Sequence, residues 1–215
     1  MNKLFSDELG LLAYEKVKRM ILNNELPAGK KIVQEKLAAD LGISRTPLRS
    51  ALQMLEAEYL VKSIPRRGVV VRQFSNEEIA EVYDCRIALE CTAVRLFTEK
   101  ATKEQIEQLK ALFAPFTKLD EPIAEKPYQL ADSQFHDAII EWCGNGFLKQ
   151  LFNTGNLLVW INRIGLIRPP AETLPEHLGI IQAIEERDLA KVELLARQHL
   201  ETSKTLIVKR INNDQ

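Results

Sequence analysis

The stretch Leu37-Ala-Ala-Asp-Leu-Gly-Ile-Ser44-Arg45-Thr46-Pro47-Leu48-Arg49-Ser50-Ala51-Leu52 decides how the first third of the chain folds. Apolar residues recur at helical spacing on both sides of Gly42, which predicts a helix from Gln34 to Leu41, a turn, and a longer helix that begins at Ser44. Ser44 is expected to cap that helix through its hydroxyl. Pro47 is tolerated because first-turn N–H groups have no partner within a helix. The segment predicts a helix-turn-helix.

The flanking segments extend this motif in both directions. Apolar residues between Leu9 and Ile21 predict an earlier helix over residues 7–24. After Tyr59 the pattern changes to two short apolar runs separated by Pro65-Arg66-Arg67-Gly68, which predicts a β-hairpin with a basic turn. This order of elements is typical of a winged helix-turn-helix. Its third helix fits the major groove of DNA, and its hairpin reaches the neighbouring backbone or minor groove.

The chain beyond Phe74 has the periodicity of helices throughout. Capping boxes at Ser75-x-x-Glu78 and Thr102-x-x-Gln105 mark two helix starts, and Asp188 is expected to cap the last helix. The predicted helices cover residues 76–100, 103–118, 128–143, 147–167, 173–187 and 188–211. Six such helices favour an antiparallel bundle. The expected fold class is therefore mainly α, with a DNA-binding domain over 1–73 and an all-α bundle over 74–215.

Composition narrows the class of protein. The chain has 215 residues, of which 46% are hydrophobic and 27% charged, as in globular proteins. No window approaches the roughly 18 to 20 apolar residues of a membrane span, and Asp7 and Glu8 interrupt any signal peptide. We therefore expect a soluble cytoplasmic protein. The three cysteines form no CxxC pair and argue against disulfides or a thiolate zinc site.

The net charge of −1 conceals an asymmetry between the two halves of the chain. Residues 1–72 hold 13 basic and 8 acidic residues, whereas the remainder holds 16 basic and 22 acidic residues. A basic segment joined to an acidic one is typical of a nucleic-acid-binding domain attached to a partner domain of another kind.

The three histidines of the chain all fall on predicted bundle helices. Asp132 and His136 are four residues apart and project from one helix face, while His177 and His199 lie on the last two predicted helices. One carboxylate and three imidazoles suit Zn²⁺, Ni²⁺, Mn²⁺ or Fe²⁺. The spacing alone is more typical of ordinary polar or surface residues than of a metal site, and both interpretations stay open at this point.

Both halves resemble a known family. The run from Leu26-Pro-Ala-Gly29 through Ser44-Arg45-Thr46-Pro47-Leu48-Arg49 to Gly68-Val-Val-Val71 is similar to the DNA-binding domain of GntR-family transcription regulators. The second half resembles the FadR-type C-terminal domain, called FCD, and its helix count favours the six-helix VanR-like branch over the seven-helix one. That resemblance is carried by Arg86-x-x-x-Glu90, Asp132-x-x-Phe135-His136, Gly144-Asn145, Glu176-His177, Ala183-Ile184, Asp188 and His199-Leu200.

The resemblance implies a divalent metal held by Asp132, His136, His177 and His199. It also implies a small carboxylate or sugar-acid effector beside the metal, and a homodimer that binds an inverted-repeat operator in double-stranded DNA. Arg86 matches the family's arginine on the first bundle helix. It either pairs with an anionic group of the effector or forms an ion pair with Glu90 on its own helix.

Roles follow for the side chains that face DNA. Arg45 and Arg49 are candidates to read guanine edges, and Ser44 and Thr46 to bind phosphates. Wing contacts are expected from Arg66, Arg67 and Gly68. Two departures from the family pattern lie beside the recognition helix and leave the wing register and base preference open: Ser50 replaces an acidic residue and Tyr59 a glycine. In the second half, Gly146 stands where proline is common.

The favoured function is a transcription regulator whose operator affinity responds to an effector bound at the metal-containing pocket. Two alternatives remain, a constitutive DNA-binding protein with a structural metal and a helical-bundle metalloenzyme. The enzyme would need an acid or base beside the metal, for which Glu90, Glu141 and Glu176 are available. Polar side chains directed into a cavity would favour the regulator, and the candidates are Arg86, Asn156 and Arg163.

Overall fold

The computed structural model describes residues 2–117, 122–154 and 165–213, and it confirms the mainly helical fold class. Contacts between residues divide the chain into two compact units, Met1–Phe74 and Ser75–Gln215. Within the described ranges, no helix combines the length and the apolar character needed to cross a membrane.

The first unit is a winged helix-turn-helix. Its elements are α1 (Asn2–Leu22), α2 (Gln34–Asp40), α3 (Arg45–Ala57), β1 (Val61–Ile64) and β2 (Gly68–Val71). Helices α1 and α3 form the largest interface of the unit. Their apolar stripes meet in a core that excludes water completely at Val17, Ile21, Leu48, Ala51, Leu55 and Leu60.

Two local predictions for this unit were wrong. Helix α1 begins at Asn2 rather than at residue 7. Ser44 occupies the N-cap position of α3 in an extended conformation, but its hydroxyl makes no capping hydrogen bond. The first-turn N–H groups of α3 are therefore not satisfied by Ser44, and its exposed hydroxyl stays available to another acceptor or donor.

The wing is an antiparallel hairpin with a third segment alongside it. Strand β1 pairs with β2 so that Val61 lies opposite Val71 and Ile64 lies opposite Gly68. Residues 30–32 run beside β2, where Ile32 N–H donates to Val69 O and Val71 N–H donates to Lys30 O, each at 2.9 Å. Strand β2 is thus hydrogen-bonded along one edge to β1 and along the other to residues 30–32.

Tyr59 leads into this hairpin with a backbone conformation that favours glycine. Its φ angle is +61°, and Leu60 N–H donates to Leu55 O at 2.8 Å to close the turn after α3. The guanidinium of Arg72 lies 5.0 Å from the centre of the Tyr59 ring. The ring contact offsets part of the cost of the left-handed backbone, and the hairpin keeps a regular register.

Replacement of Tyr59 by alanine or glycine should separate the two effects. Both variants lose the contact with Arg72, but only Tyr59→Ala keeps a Cβ atom at a positive φ angle. We expect the glycine variant to exceed the alanine variant in free energy of unfolding by about 1 kcal/mol. Chemical denaturation of both full-length variants measures this difference, and equal stabilities would contradict the prediction.

The second unit holds six α-helices within its described residues. They are α4 (Asn76–Lys100), α5 (Lys103–Phe113), α6 (Glu125–Trp142), α7 (Gly146–Thr154), α8 (Pro170–Glu185) and α9 (Leu189–Asn213), with a 3₁₀ turn at Ala114–Phe116. Both predicted capping boxes are confirmed. Asp188 caps α9, since its carboxylate accepts the Lys191 N–H at 2.9 Å.

Several helix boundaries differ from their predictions. Helix α5 ends at Phe113 and α6 begins at Glu125, three residues before the predicted start. The fourth predicted helix, 147–167, is helical to Thr154, lies outside the described residues over 155–164 and is not helical at 165–167. Helix α8 begins at Pro170, ahead of the predicted start at Thr173, because proline is well suited to the first helical turn.

Helices α4 and α9 form the most extensive interface of this unit, and α9 also packs on α8. The end of α4 is held by Arg187, whose guanidinium donates to the backbone carbonyls of Thr98 and Ala101. Helix α6 packs against α4 and α5. This arrangement brings α4, α6, α8 and α9 around one buried polar cluster.

Candidate metal centre and DNA-binding surface

The four predicted metal ligands lie together inside the helical bundle. Helix α6 supplies Asp132 and His136, α8 supplies His177 and α9 supplies His199. One ligand atom from each residue lies within 4.8 Å of each of the others. Two ligands of a single ion are separated by at most about 4.2 Å, twice a typical metal–nitrogen distance. The four side chains are therefore close to the spacing of one coordination sphere.

Aromatic packing fixes the orientation of the imidazoles. The ring of Phe113 stacks on His177 with the two ring centres 4.7 Å apart, and Phe135 contacts the same imidazole edge-on at 4.9 Å. The rings of His177 and His199 lie 4.6 Å apart. All three histidines are buried, and His177 has no exposed surface. Such packing limits the rotation of each ring.

Each imidazole is also held through its Nδ1 atom. His136 Nδ1 contacts Glu90 Oε2 at 2.5 Å, and His199 Nδ1 contacts Glu176 Oε2 at 2.7 Å. His177 Nδ1 lies 3.0 Å from the hydroxyl of Tyr128, which also contacts Thr173 Oγ1 at 2.8 Å. Metal-binding histidines commonly have such partners on the nitrogen that does not bind the metal.

The two glutamates are charged acceptors. Burial favours a raised pKa for Glu90, but the charges of Arg86 and His136 outweigh burial and lower its pKa to about 2. Burial likewise opposes ionisation of Glu176, whereas hydrogen bonds from His199 and Arg168 lower its pKa to about 2. A carboxylate can only accept hydrogen bonds, so His136 and His199 donate through Nδ1–H. In their neutral forms each then presents the lone pair of Nε2.

The centre of the cluster consequently lacks a positive partner. Burial lowers the pKa of His177 well below its ordinary value, and nearby histidine charges lower it further. Its buried Nε2 has no hydrogen-bond partner and lies 3.3 Å from the carboxylate of Asp132. Imidazole lone pairs beside a carboxylate repel one another unless a cation lies between them. This donor set fits a divalent metal ion.

A small cavity, partly open to solvent, lies beside the cluster and is lined by residues that include Asp132, His136, His199, Arg86, Arg168 and Ser203. The ion pair expected as an alternative role of Arg86 is present, because its Nε donates to Glu90 Oε1 at 2.6 Å. Arg86 nevertheless lines the cavity, and its guanidinium lies 5.0 Å from the ring centre of Tyr83. The ion pair with Glu90 therefore does not exclude a contact between Arg86 and an anionic group in the cavity.

The other two candidate effector contacts stay predictions. Asn156 and Arg163 lie outside the described residues. Arg168, which the sequence analysis did not select, lines the cavity and forms a bidentate ion pair with Glu176. The roles of Tyr128 and Thr173 beside His177 were also missed, since no short motif connects residues more than forty positions apart. Glu141 instead pairs with Lys149 at 2.5 Å.

In the first unit, the predicted DNA contacts all lie on the exposed surface. They comprise Ser44, Arg45, Thr46 and Arg49 at the start of α3 and Arg66, Arg67 and Gly68 at the turn of the wing. Arg45 forms an ion pair with Glu35 at 3.2 Å, and both side chains remain more than two thirds exposed. Exposed pairs of this kind contribute about 0 to 1 kcal/mol, so the pair leaves Arg45 free to exchange partners.

The fold and the site define a DNA-binding transcription regulator with a separate helical ligand-binding domain. Residues 10–71 match the model of the bacterial regulatory proteins of the gntR family, and residues 81–202 match that of the FCD domain. The chain belongs to the GntR family of transcription regulators and carries an FCD domain. The members of this family are regulators and not enzymes, which contradicts the metalloenzyme alternative.

Relatives and solved structures agree with this assignment. The chain is 30% identical over 191 residues to the uncharacterized HTH-type transcriptional regulator YdhC of Bacillus subtilis, covering 85% of this chain and 84% of the relative. It is 26% identical to the gluconate operon transcriptional repressor of the same organism, covering 83% and 76%. The structure of Escherichia coli McbR/YncC has the same fold, with a TM-score of 0.71, 20% identity, and coverage of 94% and 98%.

Proposed function

We propose that this regulator is a repressor whose operator affinity is controlled by a small carboxylate bound beside a divalent metal in the FCD domain. The observation that carries the proposal is the set of buried acceptors around Asp132. The Nε2 atom of His177 is buried without a partner, while carboxylates engage the Nδ1 atoms of His136 and His199. Such a centre is stabilised by a cation.

Asp132, His136, His177 and His199 would hold the metal. When bound, it supplies a positive centre with open positions for oxygen ligands, because four protein groups do not fill an octahedral ion. Zn²⁺, Ni²⁺, Mn²⁺ and Fe²⁺ all accept this donor set.

A carboxylate effector is supported by the charge of the cavity wall. Arg86 lines the cavity next to the cluster, and its side chain is buried with a recorded ion pair through Nε to Glu90. An arginine in this environment binds a planar carboxylate in a bidentate manner. The gluconate operon repressor among the relatives makes a sugar acid a reasonable first compound.

On the DNA side, Arg45 and Arg49 would read base edges in the major groove, and Ser44 and Thr46 would bind phosphates near the start of α3. Arg66, Arg67 and Gly68 would contact DNA from the wing. A cytoplasmic homodimer would place two such surfaces on an inverted repeat. Effector binding would then change operator affinity by about 5- to 150-fold, the usual range of allosteric coupling.

Thermal unfolding tests the metal and the effector in one experiment. Full-length protein is measured as purified, after chelation, and after chelation followed by each divalent metal, with and without gluconate or other small carboxylates. A ligand at about 100 times its dissociation constant adds roughly 2.7 kcal/mol to the free energy of unfolding, and the melting temperature rises accordingly. We expect metal to raise the melting temperature and a carboxylate to raise it further only when metal is present.

Operator binding by the same samples tests the regulatory part of the proposal. Operators obtained from a genome-wide pull-down provide the DNA, and fluorescence anisotropy measures its affinity. If saturating carboxylate leaves the operator affinity unchanged, the protein is a constitutive DNA-binding protein. If neither metal nor carboxylate alters the melting temperature, the histidines are structural and only the DNA-binding assignment remains.

A further inference from the structure

Glu90 connects the candidate anion site to the candidate metal site. Its carboxylate is buried between α4 and α6, with side-chain exposure of 5%. One oxygen accepts from Arg86 Nε at 2.6 Å, and the other accepts from His136 Nδ1 at 2.5 Å. One oxygen of Glu90 therefore accepts from the candidate anion site and the other from the candidate metal site. Arg86 and His136 both interact with the same negative charge.

A second arginine forms a similar connection, but each of its three nitrogens already donates to a carboxylate. The two terminal nitrogens of Arg168 donate to the two oxygens of Glu176 at 2.7 and 2.6 Å, and its Nε donates to Glu172 at 3.2 Å. Glu176 in turn holds His199 Nδ1 at 2.7 Å. A carboxylate that binds both terminal nitrogens of Arg168 would therefore have to compete with Glu176.

The terminal nitrogens of Arg86 are in a different situation. Within the described residues, the structure records a hydrogen bond for Nε alone, to Glu90, while the guanidinium packs against Tyr83 and lines the cavity. The two terminal nitrogens therefore remain able to bind a carboxylate. Among the described residues, the two arginine–glutamate–histidine connections thus differ in one respect: both terminal nitrogens of Arg86 are available to an anion, whereas those of Arg168 already bind Glu176.

We infer that Glu90 is a positioning residue that couples anion binding at Arg86 to metal binding at His136. This inference rests on the proposed function, because it requires both sites. Glu176 supports His199 in the same manner but is not expected to carry this coupling, since all three nitrogens of Arg168 already donate to carboxylates. The Arg86–Glu90–His136 connection would then couple the anion site to the metal site. The Arg168–Glu176–His199 connection would only orient a metal ligand.

The direction of the coupling follows from charge. An anion on Arg86 neutralises the cation that shares Glu90, so that Glu90 becomes a stronger acceptor for His136 Nδ1–H. A stronger hydrogen bond at Nδ1 makes Nε2 a better metal ligand. By linkage, a metal on Nε2 draws Glu90 toward His136 and leaves Arg86 more available to the anion. Anion and metal should therefore strengthen each other's binding.

The test compares Glu90→Gln with Glu176→Gln as a matched control. The metal dissociation constant of full-length protein is measured by competition with a chromophoric chelator, with acetate as the probe anion and chloride at equal ionic strength as reference. Loss of either glutamate should weaken metal binding by about 10- to 100-fold. Acetate should tighten metal binding by about fivefold or more in the wild type and in Glu176→Gln, but much less in Glu90→Gln.

Other results would overturn the inference. If acetate has no effect on metal affinity in the wild type, or if both variants keep or lose the effect equally, Glu90 does not transmit it. Coupling that survives in Glu90→Gln would arise from acetate on the metal itself. Failure of the wild type to bind metal at all would instead contradict the proposed function, so the two failures are distinguishable.

A second variant is needed to distinguish loss of coupling from misfolding, because Glu90→Gln leaves the charge of Arg86 buried beside an amide. The double variant Arg86→Gln and Glu90→Gln removes both charges and retains an acceptor for His136. It should bind metal and show the same low response to acetate as Glu90→Gln. A full response in this folded variant would also overturn the inference.

Discussion

Replacement of His199 by alanine is expected to lower the affinity for a divalent metal by more than about 100-fold. The change removes one of the four candidate ligands and leaves Glu176 without the imidazole that it holds at 2.7 Å. Loss of a residue that only supports a ligand costs about 10- to 100-fold, so loss of the ligand itself should exceed that range. Competition with a chromophoric chelator measures the affinity directly.

Thermal unfolding gives an independent reading of the same variant. Metal should raise the melting temperature of the wild type and leave that of His199→Ala unchanged. Gln198→Ala is the matched control, because Gln198 precedes His199 on α9 but is exposed to solvent. Equal stabilisation by metal of His199→Ala and Gln198→Ala would remove His199 from the metal centre.

The double variant Arg45→Ala and Arg49→Ala is expected to weaken operator binding by at least about 30-fold. Each arginine paired with a guanine contributes about 1 to 3 kcal/mol of base discrimination. Both side chains are exposed, and the partner recorded for Arg45 is the exposed carboxylate of Glu35. The fold should therefore survive the change. Fluorescence anisotropy with operator and with unrelated DNA of equal length measures both affinity and specificity.

The control must remove the same charge elsewhere. Arg95→Ala and Arg197→Ala delete two part-exposed cations of the FCD domain that pair with Glu193. We expect this pair of changes to leave operator affinity within a factor of about two, since neither arginine belongs to the winged helix-turn-helix unit. If the Arg45 and Arg49 variant weakens operator and unrelated DNA equally, these arginines bind phosphate and do not read bases.

The local signals predicted much of the secondary structure correctly. The run around Ser44 to Arg49 placed α3, and the basic turn between two apolar runs placed the wing. The capping boxes at Ser75 and Thr102 marked the starts of α4 and α5 without error. These predictions succeed because helix caps and tight turns are stabilised by residues within three or four positions of one another.

The prediction of a helix start was wrong where the side chains of a capping pattern bind residues that are distant in the sequence. Thr173 and Glu176 have the spacing of a capping box, yet the helix begins earlier, at Pro170. The hydroxyl of Thr173 contacts Tyr128, and the carboxylate of Glu176 binds Arg168 and His199. Side chains committed to the buried cluster do not cap the helix, and no local pattern distinguishes the two uses.

The sequence by itself determined the fold class, because periodicity, caps and motif spacing are properties of neighbouring residues. The four candidate metal ligands came from the resemblance to a known family, since spacing alone left them open. Only the tertiary structure decided which group holds each imidazole. Among the residues that it describes, it also shows that the terminal nitrogens of Arg86 have no recorded hydrogen bond while those of Arg168 bind Glu176, and that His177 Nε2 is buried without a partner. The physical reason is distance along the chain. Glu90 and His136 are 46 positions apart, and the packing of α4 against α6 brings them to 2.5 Å.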